Sequence, residues 1–469
     1  MKITWKITVL ALAVAVAITG CKVEDVAKIF VQTPADYATR SDSNYSLNTY
    51  GLVTAENAAK LITAWQTNKP AGKRNLYIMQ FGNIYGFGAG QGYIKSDPAA
   101  GVYVFDRTAG CTDDGDYRFD GVTAMPKPVF TIGEMDQAFQ YYGIDPDQDV
   151  IMLALGSPVS TLTGTAVSES GMGEYMAGVA RMWYTLTYWG FSQKSIMVLN
   201  GQASYVLDPT INTNLASVGI TNRDQIFAAQ QSTPPTNPVW KSISTVKVDG
   251  TILQATMKDM MNVVTLNSTS DLILDARSTA EYNGTAKKSK TEFSVCGPDH
   301  NETCYAAFEG HIKGAQNILY TNVLITDDNT TDINLDGVSN YKDSSMTFKP
   351  LATLDGLFAA KGYIAGKNVY TYCRTGTKAS LLAFTSAAVL GYKTRMYDGS
   401  WIQWGKLANK LDTYGTTLVP AGNKWLTDIY SEAVFYNVQS YVSPLRQAPD
   451  LNLSADDTNL IIYTDKLAK

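Results

Sequence analysis

The chain has 469 residues, 45% of them hydrophobic and 17% charged, which suffices for a large buried core and, on domain-size priors, for two or three domains. Its formal charge of −5 is spread without long single-sign runs. That leaves no electrostatic footprint for nucleic acid, and such partners are excluded.

Residues 1–20, MKITWKITVLALAVAVAITG, place Lys2 and Lys6 before an apolar stretch from Ile7 to Ile18. The stretch falls short of the about 20 apolar residues that a membrane-spanning helix needs, and it reads as a secretion signal. ITGC, at 18–21, resembles a bacterial lipobox, which would make Cys21 the lipidated N-terminus of an exported protein. An ordinary signal peptide followed by a chance cysteine is the alternative. By the same resemblance, Lys22 in place of an acidic residue implies an outer-membrane lipoprotein, held to the membrane through its lipid anchor. Residues 21–48 are polar, lack clear periodicity and suit a tether.

A helix signal follows in TAENAAKLITAW, with Thr54 as candidate N-cap. NLYIMQFG is an apolar run, FTIGEMDQAFQYYGIDPDQDVIMLALG reads as helix, turn and buried strand, and GEYMAGVARMWYTLTYWGFSQKSIMVLNG repeats that order. Strands alternating with helices of this length imply parallel βαβ units. QQSTPPTNPVWKS, 230–242, is rich in proline and hydroxyls and reads as part of a linker over 230–245. Beyond it TMKDMMNVV is helical, SDLILDARS a strand, PLATLDGLFAAKGYIAG helical, KNVYTYC a strand, and KASLLAFTSAAVLGYKTRMYDGS helix, turn and strand. YWGFSQKSIMVLNGQ near 195 and VLGYKTRMYDGS near 395 share an order of helix end, glycine, aromatic, basic residue, strand and Asn/Asp-Gly. This is an internal duplication. The expected fold class is α/β, with an N-terminal unit over 49–229, a second over 246–412 and an extension over 413–469.

Four motifs in the second half, LILDARSTAEYNG, GHIKGAQNI, YCRTGTKAS and YDGSWIQWG, stand in an order that resembles the tandem rhodaneses, two-domain sulfurtransferases. In the first half the likeness is confined to ARMWYTLTYWGF and the strands around it. The resemblance implies two rhodanese-like domains, each a parallel sheet flanked by helices, with Cys373 as the catalytic nucleophile of the second. The first copy has no cysteine after its strand DVIMLAL, since Cys111 lies well upstream, so it reads as an inactive scaffold that narrows the cleft.

A thiolate, not a thiol, attacks sulfur, so a site of this kind must depress a thiol pKa of about 8.5. A loop curling from strand into helix can do so with successive backbone N–H groups and the positive helix end. Arg374, Thr375, Gly376, Thr377 and Lys378 would supply those donors and bind the donor molecule. Gly376 would permit the curl, and Arg374 and Lys378 would orient an anion such as thiosulfate. Cys373 would take the outer sulfur as a persulfide and yield it to cyanide or a thiol. No histidine base and no organic cofactor is needed. His311, in GHIKGA, is structural by resemblance, and Asp275 and Arg277 brace the loop. Trp401 and Trp404 read as cleft wall and core, with two core tryptophans as the alternative. Phosphatases of this fold need Cys-x5-Arg, whereas the sixth residue after Cys373 is Ala379.

DINLDGVSNYKD, 332–343, fits the EF-hand pattern except at its last position. Asp332, Asn334, Asp336, Val338 (through its carbonyl), Asn340 and Asp343 would hold a structural calcium ion, against the alternative of a solvated turn. Cys296 and Cys304 could close a short disulfide loop or remain free thiols. The functional expectation is a thiosulfate sulfurtransferase-type enzyme with an open cleft at the loop. The alternative is a sulfur- or selenium-binding partner in an envelope redox assembly, without turnover. A sulfur walled off from solvent, or one that titrates like an ordinary cysteine, counts against Cys373 as a thiolate ready to be loaded, and only the enzyme demands an open cleft.

Overall fold

A computed structural model describes residues 51–82, 84, 92–106, 118–119, 124–125, 129–156, 169–285, 310–326, 344–408, 427–430 and 460–469. The leader with Cys21, the tether, Cys111, Cys296, Cys304 and the 332–343 loop lie outside the described residues.

The first unit runs β1 (Leu52–Val53), α1 (Ala55–Thr63), β2 (Leu76–Phe81), β3 (Val102–Asp106), α2 (Ile132–Tyr142), β4 (Val150–Leu155), α3 (Glu169–Tyr188) and β5 (Ile196–Gln202). Its strands are parallel, in the order β1-β5-β4-β2-β3. Central strands β2 and β4 are apolar along their whole length except Gln80, and both are buried throughout, as a parallel sheet covered on two faces requires. Thr54 caps α1 by accepting the Asn57 N–H at 3.3 Å, and Thr131 and Glu134 form a reciprocal capping box on α2.

The second unit repeats the scheme with β6 (Gln254–Ala255), α4 (Met257–Leu266), β7 (Asp271–Asp275), α5 (Thr279–Tyr282), β8 (Gln316–Asn317), α6 (Leu351–Ala359), β9 (Asn368–Tyr372), α7 (Thr377–Phe384), β10 (Lys393–Tyr397) and α8 (Ser400–Ala408). Its parallel order is β6-β10-β9-β7-β8. In chain order both sheets therefore read first, fifth, fourth, second, third. The chain is α/β, with two parallel sheets flanked by helices, consistent with two rhodanese-like domains.

The units meet along α3 and α7. The Trp183 ring stands edge-on to Phe384 at 5.1 Å, and one apolar cluster includes Trp183 and Leu186 from the first unit with Leu381 and Phe384 from the second. A Cβ on Gly173 of α3 would come within 2.4 Å of Thr321 Cγ2, so glycine permits this close approach. A second seam lies at the end of β5, where the Gln202 N–H donates to the Ser345 carbonyl at 2.8 Å and Asn200 Oδ1 accepts the Phe348 N–H at 2.9 Å. Residues 230–242 contain no helix or strand. A last helix, α9 (Leu460–Ala468), returns to the first unit. There Asp465 accepts from Arg118 at 2.5 Å and from the Tyr188 hydroxyl at 2.8 Å.

Candidate functional site

Strand β9 ends at Tyr372, and the chain then curls through Cys373–Gly376 into α7. The curl depends on Gly376, at φ +90°, which is the residue that opens the helix. In this turn the Gly376 N–H donates to Cys373 Sγ at 3.1 Å. The sulfur thus faces the amino end of α7, where unsatisfied N–H groups favour negative charge.

Helix α8 fixes the other side of the loop. The Trp401 and Ile402 N–H groups, left without helical acceptors at its first turn, donate to the carbonyls of Cys373 and Arg374 at 2.9 and 3.0 Å. Ser400 Oγ accepts the Cys373 N–H at 3.2 Å and donates to the Tyr397 carbonyl at 2.9 Å. Ser400 holds φ +50°, a conformation that disfavours side chains, and its two hydroxyl bonds explain why a serine sits there.

Beneath the loop, Arg277 clasps Asp275 with Nε and Nη2 at 3.0 and 2.6 Å and donates to the Gly310 carbonyl. The Arg277 guanidinium lies 4.6 Å from the Trp401 ring centre and 5.7 Å from that of Tyr372. Asp275, Arg277, Trp401 and Trp404 are all fully buried, so Trp401 is packing under the loop and not a cleft wall. His311 stacks on Tyr282 at 3.8 Å, with Nδ1 2.9 Å from the Tyr282 carbonyl oxygen.

The cations are placed differently from the sequence expectation. Arg374 donates to Glu281 Oε1 at 2.7 Å, both side chains being nearly buried, because a guanidinium inside the protein needs a carboxylate. Glu281 is itself held by Ser278, whose Oγ donates to Oε2 at 2.8 Å. Lys378 pairs with Glu174 of α3 at 2.9 Å and lies 5.1 Å from the Tyr320 ring centre, but this pair is partly exposed. Thr377 Oγ1 is buried without a hydrogen-bond partner among the described residues, while Thr375 lies in the curl itself.

A further charge enters from the first unit. Arg181 of α3 donates through Nη2 to Asp398 Oδ2 at 2.9 Å, and its Nη1 stands 2.7 Å from Oδ1. Asp398 lies against the loop, since a Cβ on Gly376 would meet its Oδ1 at 2.1 Å and Arg181 Nη1 at 3.2 Å. Burial works to lower the Arg181 guanidinium pKa, but the negative charge of Asp398 and the neighbouring Cys373 raise it above its ordinary value. Sequence reasoning missed Arg181, Asp398, Ser400, Glu281 and Glu174. The first four lay within motifs already singled out, ARMWYTLTYWGF, YDGSWIQWG and LILDARSTAEYNG, without assigned roles.

Cys373 itself is 1% exposed. The expectation of an open cleft is not met in this arrangement, because α3 closes over the loop with the Arg181–Asp398 pair between them.

Residues 255–407 match the rhodanese-like domain family. The rhodanese-like match thus holds β7, the curl at Cys373 and most of α8. Among curated proteins, the chain is 31% identical over 136 residues to a candidate thiosulfate sulfurtransferase of Haloferax volcanii and to the sulfur carrier protein TtuD of Thermus thermophilus. In each case the match takes in 29% of this chain and 38% of the relative's length. Among solved structures, the anaerobic ergothioneine biosynthesis enzyme of Chlorobium limicola, bound to trimethyl histidine, aligns with 76% of this chain and 68% of its own at 18% identity and a TM-score of 0.45.

Proposed function

We propose that the chain is a sulfurtransferase that moves a sulfane sulfur from an anionic donor such as thiosulfate to a thiophilic acceptor through a persulfide on Cys373. The observation that carries this reading is the Gly376 N–H on Cys373 Sγ, at a strand-to-helix turn inside the rhodanese-like match. In the first step the Cys373 thiolate attacks the outer sulfur of thiosulfate. A new S–S bond forms, the donor's S–S bond breaks, and sulfite leaves with the electron pair. In the second step cyanide or a thiolate attacks the terminal sulfur and returns the Cys373 thiolate, with thiocyanate or a new persulfide as product. The α7 amino end favours the charge on sulfur in both resting and loaded states. Lys378, partly exposed, is the cation of the loop that an incoming anion can reach.

The leader and the lipobox-like ITGC support placing this chemistry outside the cytoplasm, on a chain anchored through Cys21. The burial of Cys373 favours a second reading, that of a sulfur carrier which is loaded and unloaded by partner proteins. The name of the Thermus relative points the same way.

One experiment separates the two. Full-length protein is incubated with thiosulfate, the Cys373 peptide is weighed for the gain of one sulfur atom, and cyanide is then supplied with excess thiosulfate. Thiocyanate formed over many turnovers, and lost in Cys373→Ala, supports the enzyme. A persulfide that forms without turnover supports the carrier. A chain that never gains sulfur refutes both.

A further inference from the structure

The sequence sets Arg374 and Lys378 next to Cys373 in the chain, yet Arg374 is held by Glu281 and Lys378 by Glu174. The guanidinium that faces the sulfur loop comes from a residue far away in the chain. Arg181 and Asp398 are 217 positions apart, and their contact lies against Gly376, the residue whose N–H holds the sulfur.

From this juxtaposition we infer that Arg181, on α3 of the first unit, is the positioning cation of the sulfur site, and that Asp398 occupies its guanidinium until the oxyanion end of an anionic sulfur donor takes that place. The first unit is then part of the site and not a scaffold alone.

Three features of the pair support this. Arg181 is 8% exposed and Asp398 2%, so their charges act through little water and each strongly affects its neighbours. The grip is incomplete. Nη2 and Oδ2 form a hydrogen bond, whereas Nη1 and Oδ1 are close at 2.7 Å but out of hydrogen-bond line, and Oδ1 finds no other hydrogen-bond partner among the described residues. A planar guanidinium suits two oxygens of a carboxylate or of a sulfonate-like group equally well, so one anion can replace the other. The unpartnered Thr377 hydroxyl, on the first residue of α7, gives the same anion a donor from the opposite unit.

Among the described residues, the other charged groups next to the loop stand in pairs or are neutral. Tyr184 of α3 lies with its ring centre 5.4 Å from the Arg181 guanidinium carbon, and burial raises its hydroxyl well above the ordinary value, so it stays neutral. Arg374 with Glu281, Lys378 with Glu174 and Asp275 with Arg277 are pairs that each balance internally. The field on the sulfur therefore responds to whether Asp398 or a donor holds Arg181.

The inference rests on the sulfurtransferase reading for the identity of the donor, but its test does not need turnover. In full-length protein the rate of Cys373 alkylation by iodoacetamide is followed against pH by peptide mass, and the thiosulfate KM is measured with cyanide as acceptor. Removing the nearby positive charge in Arg181→Gln raises the pH midpoint of alkylation by about one unit or more, and raises the thiosulfate KM about tenfold with kcat less affected. Arg181→Lys recovers part of both effects. Asp398→Asn, nearly unchanged in shape, moves the midpoint the other way and lowers the KM. Should Arg181→Gln fail to fold, the downward shift in Asp398→Asn decides the matter. Midpoints unmoved in the folded variants overturn the inference. If the parent chain forms no persulfide, the sulfurtransferase reading falls while the alkylation midpoints still judge Arg181.

Discussion

Replacing Gly376 by alanine tests whether the turn that presents Cys373 is as tightly built as its geometry implies. Gly376 sits at φ +90°, where a side chain costs about 1–2 kcal/mol. Its new Cβ would stand 2.1 Å from Asp398 Oδ1, so the carboxylate must move. Asp398 has little freedom to do so, being buried and held by Arg181. Disturbing such a pair without deleting either partner adds about 1–3 kcal/mol, less than the about 3–5 kcal/mol of removing one charge. The total is about 2–5 kcal/mol, a 30-fold or larger change in the folding equilibrium at about 1.4 kcal/mol per tenfold.

Gly362 provides the control within the same unit. It holds φ +95° with no atom within 4 Å of where its Cβ would be, so Gly362→Ala registers the backbone cost of about 1–2 kcal/mol alone. Denaturant titrations of the two variants, with persulfide loading from thiosulfate measured on each, give the comparison. The expected result is a larger loss of stability and a much slower loading in Gly376→Ala, with loading at the parent rate in Gly362→Ala. Equal losses in the two variants, or parent-like loading in Gly376→Ala, would refute the reasoning.

Glu281→Gln deprives the nearly buried Arg374 of this carboxylate and lowers stability by about 3 kcal/mol in urea unfolding, whereas the double change to Arg374→Met and Glu281→Leu recovers much of the loss. Lys378→Gln changes stability by less than about 1 kcal/mol, because its pair with Glu174 is partly exposed, and shows itself in a raised thiosulfate KM. Burial works to raise the Asp259 carboxyl, but the charge of Arg395 and the bonds from Thr256 hold it below its ordinary 3.8. That stabilisation is present above pH 3.8 and lost as pH falls through the depressed folded-state value. Asp259→Asn is therefore less stable than the parent near neutral pH, and denaturant midpoints of the two converge in acid. Asp465→Ala removes the acceptor of Arg118 and Tyr188, so α9 exchanges amide hydrogens faster while the second unit keeps its protection.

Much of the fold is legible in the chain because it is written locally. Periodicity, apolar runs and the cap at Thr54 announce the long helices and the central strands. The short strands β1, β6 and β8 are two residues each and carry no period to read; they exist because a neighbouring strand offers a parallel edge. β3, at the rim of its sheet, went unread as well. In the site, Cys373 and Gly376 are readable because the strand end, the curl and the helix start are consecutive in sequence. The fate of each cation is not readable, because a buried charge takes whichever carboxylate the packing brings to it.

By itself the sequence determines two α/β units in the same element order and one cysteine at a strand-to-helix turn. Only the tertiary structure decides that α3 of the first unit closes over that turn, burying Cys373 and setting Arg181 against Asp398 beside Gly376. The reason is one of range: hydrogen-bonded turns and periodic faces are set by neighbours within a few residues, whereas the charge around a buried sulfur is set by side chains hundreds of residues apart that meet only when the two cores pack as one.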